Sequence, residues 1–153
     1  LHSFPTRRSS DLPQREFSDM FNLPYHSVCT TSTHDMTPLR NWWKEDPEKT
    51  QRYYNHVLQR IGEAPDECTA EIVAQIISNH LKTRSMLTII PLQDWFAMDD
   101  SIKRKDIESE RINVPANSTH YWRYRMHITL EQLLQADNLN NKIVSLIKEA
   151  GRK

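Results

Sequence analysis

Residues 25–36, YHSVCTTSTHDM, decide how the chain folds. Residues 25–32 are rich in β-branched and small side chains and read as a short buried strand. Thr33-His34-Asp35 stands at its C-terminal end. Thr37-Pro38 then supplies an N-cap and a proline at the first helical position, so a helix follows at once. A strand that runs directly into a helix is half of a βα unit. In an α/β barrel, the C-terminal end of a strand is where catalytic groups stand. A carboxylate beside an imidazole binds sugar hydroxyls or stabilises a developing cation. The competing reading is that Asp35 simply caps the next helix, which is the commoner use of an aspartate in such a place.

Working outward, the helix after Pro38 carries Leu39, Trp42 and Trp43. Asp46-Pro47 repeats the start signal, and Tyr54, Val57, Leu58 and Ile61 fall on one helical face up to a stop at Gly62. Ile72, Val73, Ile76, Ile77 and Leu81 mark a further amphipathic helix. Residues 85–90, SMLTII, form the second strand, closed by Pro91, with Gln93-Asp94 at its C-terminal end. Residues 93–98 allow one or two helical turns. Residues 99–117 are charged and irregular, and loops of that length are often functional.

Residues 121–126, YWRYRM, alternate aromatic and basic side chains. They could stack bases or sugars, but the favoured reading is Trp122 packed inward with Arg123 and Arg125 paired to carboxylates. Thr129 to Gln132 fits a capping box. Leu139, Ile143, Leu146 and Ile147 mark the last helix, ended by Gly151. Strands alternating with helices imply parallel strands and crossovers. A parallel sheet is buried on both faces, so two such strands read as the last units of a larger α/β sheet or barrel.

Composition narrows the function classes. The chain has 153 residues, with 20 Lys+Arg against 20 Asp+Glu. Zero formal charge argues against a nucleic-acid binder. No stretch approaches the roughly 20 apolar residues of a membrane span. Two glycines and a mean hydropathy of −0.73 favour helices and suit a piece of something larger. Cys29 and Cys68 form no disulfide framework, and a reduced, cytoplasmic compartment is the simplest reading. His26, Cys29 and His34 match no closed zinc spacing; neither a metal nor a cofactor is expected. Residues 1–12, LHSFPTRRSSDL, resemble the translation of a widely used sequencing-library adapter, and are read as a non-native tail preceding residues 13–153.

Four segments together resemble one family. They are VCTTSTHDM (28–36), LRNWWKED (39–46), IIPLQDWFAMD (89–99) and RINVPANSTHYWRYRMHITLEQLL (111–134). They resemble the C-terminal part of the 4-alpha-glucanotransferases, the amylomaltases or disproportionating enzymes of glycoside hydrolase family 77. The likeness is greatest to the larger type with N-terminal starch-binding modules. The resemblance implies that residues 13–153 are the C-terminal part of a catalytic (β/α)8 barrel, helix-rich with about two short parallel strands. It implies transfer of α-1,4-glucan segments, with retention, to the 4-hydroxyl of a small sugar acceptor.

In the family's histidine–aspartate motif, the carboxylate stabilises the transition state; by motif match this is catalytic Asp35, with His34 binding substrate. Asn113 and Pro115 match the family's N-x-P-G loop over the substrate, Ala116 standing where many members have glycine. Tyr121-Trp122 matches a segment usually read as Asn-Trp. The family's nucleophile and acid/base motifs match no segment here. The chain is therefore expected to need the missing N-terminal part of its own polypeptide and to be inactive alone. The alternative is a non-catalytic carbohydrate-binding or interaction module derived from a barrel end.

Overall fold

The computed structural model describes residues 17 and 19–152; the adapter-like residues 1–12 lie outside them. Two short strands, β1 (Val28–Thr30) and β2 (Leu87–Ile89), pair in parallel with Val28 opposite Leu87, Cys29 opposite Thr88 and Thr30 opposite Ile89. Between them run α1 (Leu39–Glu45), α2 (Pro47–His56) and α3 (Ala70–Leu81). After β2 come α4 (Leu92–Phe96), a 3-10 turn at Glu108–Glu110, α5 (Leu130–Leu134) and α6 (Asp137–Glu149). The order is that expected of parallel strands linked by helical crossovers.

The helices form one core beside the sheet, while Cys29 of β1 is buried against Met20 and Leu23. Ile72, Val73, Ile76, Ile77 and Leu81 of α3 meet Leu39 and Trp43 of α1, Tyr53 of α2, Phe96 of α4 and Leu139 of α6 in one core. Several start signals act as the sequence implies. Asp46 accepts from the Lys49 N–H at 3.0 Å with Pro47 opening α2. Thr129 and Gln132 close a reciprocal capping box on α5. Near the C-terminus, the Arg152 guanidinium donates to the carbonyls of Leu81, Thr83 and Ser85 and so fastens the segment leading into β2.

Four sequence expectations are corrected. The strands are shorter than expected and not buried throughout: Cys29 is buried, but Val28, Leu87 and Ile89 are exposed. The face bearing these three side chains meets no second layer among the described residues. Helix α2 stops at His56 rather than at Gly62. Gln59 takes φ 55°, the left-handed conformation usual for a helix-ending residue, and the Arg60 N–H reaches back to the Tyr54 carbonyl at 3.1 Å. The Asn55 amide holds this turn by donating to the Arg60 carbonyl.

At α1, Pro38 is itself the N-cap residue and Thr37 makes no cap; the donor left open at Leu39 is satisfied from another part of the chain, as described below. Finally, Trp122 is not packed inward. It is 58% exposed, Arg123 lies over the Tyr121 ring, and Arg125 donates to the neighbouring Tyr124 carbonyl. The segment runs outside the core formed by the helices, so neither its indole nor its guanidinium groups meet the buried partners expected for them.

Candidate active site

The C-terminal ends of β1 and β2 lie side by side because the strands are parallel and in register. A cavity of about 350 Å³ opens there. Thr30, Ser32, Thr33 and His34 line it from the β1 end, Ile89, Pro91 and Gln93 from the β2 end, with Ile112 arriving from the long loop.

Asp35 lies between the lining residues His34 and Met36, half-exposed. Its Oδ1 accepts from the Asn113 side-chain amide at 2.7 Å. Its Oδ2 lies 3.3 Å from His34 Nε2. His34 in turn rests against the Trp122 indole, with ring centroids 4.9 Å apart and planes tilted 46°. Three of the four expected site residues, His34, Asp35 and Asn113, therefore come together across 78 positions of sequence. Pro115 does not join them by any hydrogen bond. It occupies the second position of an exposed turn closed by the Asn117 N–H on the Val114 carbonyl at 2.8 Å, where its fixed φ is favourable. Ala116 follows it without a positive φ, so this turn makes no demand for glycine.

The simpler reading of Asp35 as a helix cap fails on geometry. The Leu39 N–H that opens α1 donates at 2.9 Å to Asp94 Oδ1, not to Asp35. The other Asp94 oxygen accepts from the Thr31 hydroxyl at the end of β1. Asp94 is almost wholly buried. Burial raises its carboxyl above the usual range, against the pull of the Thr31 and Leu39 bonds. One carboxylate on α4 thus pins both ends of the loop that displays His34 and Asp35. The sequence placed Gln93-Asp94 at a strand end but offered no sign of this role.

The loop opposite is held as firmly. Arg40 donates to the Arg104 carbonyl at 2.7 Å and lies 3.5 Å from Glu110, with both side chains buried. Asn41 donates to Glu108 at 2.8 Å, and Gln93 to the Glu110 carbonyl at 3.1 Å. Burial pushes the Glu110 carboxyl up to about 7, with Arg40 opposing. The charged residues of this loop are thus the anchors that deliver Ile112 and Asn113 to the cavity. No group of three or more His, Cys, Asp or Glu side chains suited to a metal ion occurs among the described residues.

Comparison with known proteins agrees with this architecture. Residues 3–131 match the glycoside hydrolase family 77 model, described as 4-alpha-glucanotransferase. The chain belongs to glycoside hydrolase family 77. Over 146 residues it is 37% identical to 4-alpha-glucanotransferase DPE2 of Oryza sativa subsp. japonica, covering 95% of this chain and 15% of that protein. It is 31% identical over 123 residues to a 4-alpha-glucanotransferase of Chlamydia trachomatis, covering 78% of this chain and 22% of the relative.

The fold resembles an amylomaltase from Streptococcus agalactiae solved in complex with acarbose. The TM-score is 0.65 at 18% identity, over 88% of this chain and 23% of that one. This family 77 chain thus has the α/β fold of part of an amylomaltase (β/α)8 barrel, and it spans less than a quarter of the length of each of these relatives. Among its described residues, no helix is long and apolar enough to cross a membrane.

Proposed function

We propose that the chain is the C-terminal part of the catalytic barrel of a cytoplasmic 4-alpha-glucanotransferase. It would supply the transition-state-stabilising carboxylate for transfer of α-1,4-glucan segments to a small sugar acceptor. On this reading residues 13–153 are the barrel part and residues 1–12 are non-native, although the family match itself begins at residue 3. The remainder of the barrel, on the same polypeptide, contributes the nucleophile and the acid/base, and the 153-residue chain alone is inactive.

The observation that carries the reading is the state of Asp35. It lies between the cavity-lining residues His34 and Met36 in the loop that follows a parallel strand, and it is not spent on capping a helix. Asn113 and His34 orient one oxygen each. Retaining transfer proceeds through an oxocarbenium-like transition state flanked by two carboxyl groups. A third, preorganised carboxylate lowers the barrier if it meets the developing charge and the neighbouring hydroxyls more strongly than it meets the ground state. His34 and Asn113 fix that geometry before substrate arrives.

The test is Asp35→Asn in the complete transferase that contains this segment, assayed on maltotriose. Asparagine is nearly isosteric but loses the charge. The expected loss is about 10²–10³ in kcat, with an unchanged thermal melt. Wild-type turnover in that variant would overturn the assignment. His34→Ala is expected to cost less, because a hydrogen bond rather than a charge is removed.

A further inference from the structure

The exposed Trp122 indole stands beside His34. We propose that Trp122 is a positioning residue for the His34–Asp35 pair; this rests on the reading of Asp35 given above. His34 is half-exposed and lies on a loop, so neither core packing nor a helix fixes its ring. The contacts its ring makes are with Asp35 Oδ2 on one side and the Trp122 indole on the other.

Trp122 is itself held in place. The turn closed at 114–117 reverses the chain, and His120 Nε2 meets the Ile112 carbonyl at 3.1 Å. The outgoing limb is fastened by Arg104, which donates to the Arg125 carbonyl at 2.7 Å. The two limbs of one loop therefore grip two successive residues: Asn113 holds Asp35, and Trp122 holds His34. Tyr121 does not share the role, because its ring is covered by the Arg123 guanidinium at 4.7 Å.

A ring contact of this kind changes rate through the partner it orients. An aromatic pair is worth a modest amount beyond its area, which corresponds to about a 2- to 10-fold effect on kcat/KM. The experiment is a double-mutant cycle on Trp122→Leu and His34→Ala in the complete transferase, with maltotriose as substrate and a thermal melt of each protein. Trp122→Leu is expected to lower kcat with little change in KM, Trp122→Phe to restore it, and Trp122→Leu to cost nothing further once His34 is alanine.

Additive losses, or a rise in KM alone, would overturn the proposal, since the indole would then act independently of His34. Failure of the wild-type enzyme to convert maltotriose would instead overturn the underlying reading. Truncation at so exposed a position opens no core cavity; should leucine nevertheless lower the melt, Trp122→Gln carries the same cycle.

Discussion

Asp94 offers the most direct check on the architecture of the site. Its carboxylate accepts from the Thr31 hydroxyl and the Leu39 N–H, with the Ser32 side chain as a further partner, in an almost water-free place. Asp94→Ala removes the acceptors and leaves the Thr31 and Leu39 donors buried. Each unsatisfied donor costs about 1–3 kcal/mol, so the variant should lose about 4 kcal/mol of stability. Asp94→Asn is a different perturbation. Its amide oxygen still accepts from Leu39, and the Thr31 hydroxyl rotates to accept from the amide N–H. Burial already disfavours the charged carboxyl, so removing the charge forfeits little, and the cost should stay near about 1 kcal/mol.

Urea melts of the two variants beside wild type give both numbers. Equal damage from asparagine and alanine would refute the argument, because charge rather than acceptor geometry would then be the cause. A loss below about 1 kcal/mol in Asp94→Ala would refute the claim that Asp94 ties β1 to α1. Thr31→Val, which deletes one of the two bonds, should fall between wild type and Asp94→Ala.

Two further perturbations address the frame around the site. Arg152→Ala should lower stability by about 2–4 kcal/mol in a thermal melt, since it strips a charged donor from three carbonyls before β2, whereas Arg152→Lys, with a single ammonium, should recover only part of the loss. Glu110→Gln tests the buried Arg40–Glu110 pair through pH. The folded carboxyl titrates at about 7 against an ordinary 4.5, so the folded chain keeps a proton that the unfolded chain releases. This stabilisation is complete below about 4.5 and is lost as pH rises through 7, by up to about 3 kcal/mol. His80 runs the other way. Burial lowers it to about 4, and its contribution is present above 6.5 and is lost as pH falls through 4. The stability difference between wild type and Glu110→Gln should therefore change by up to about 3 kcal/mol in favour of the variant between pH 4.5 and 7 and stay level above that. A pH profile of the variant parallel to wild type would refute the burial argument.

What the sequence showed depended on how local the cause was. The periodicity of Ile72, Val73, Ile76, Ile77 and Leu81 is set by one helix against one core, and those residues are the core. The capping box at Thr129 acts over three positions and could be read directly. The start of α1 could not. Its first donor is satisfied from 55 positions away, while the local candidates, Thr37 and Asp35, do other things. Gln59 ends α2 in a conformation that composition assigns to glycine, because Asn55 and the Tyr54 carbonyl secure the turn. At the site, His34 and Asp35 were legible from their place at a strand end. Asn113 was reached only through family resemblance, since no spacing rule connects residues 78 apart. Trp122 was misread because the rule that aromatic rings pack inward presumes a core within reach.

The half-exposed sheet bears on the chemistry. Val28 pairs with Leu87 and Thr30 with Ile89, so these four side chains share the face opposite buried Cys29, following the two-residue alternation of a strand. Three of them, Val28, Thr30 and Ile89, also line the cavity. In a (β/α)8 barrel the helices cover the outer face of the sheet, and the inner face fills the barrel with layers of branched side chains. Cys29 is buried against Met20 and Leu23, and the exposed Val28–Leu87–Ile89 face corresponds, on the barrel reading, to the barrel interior. The cavity therefore has two parts with different causes. Its lower wall is apolar, as the interior of such a barrel is. Its upper part is formed by Thr33, His34 and Gln93, polar groups beyond the strand ends. An aliphatic substitution such as Ile89→Val should accordingly lower stability and leave the Asp35 geometry intact, whereas, on the proposed function, substitutions in the loop from 32 to 38 should lower turnover of the complete transferase.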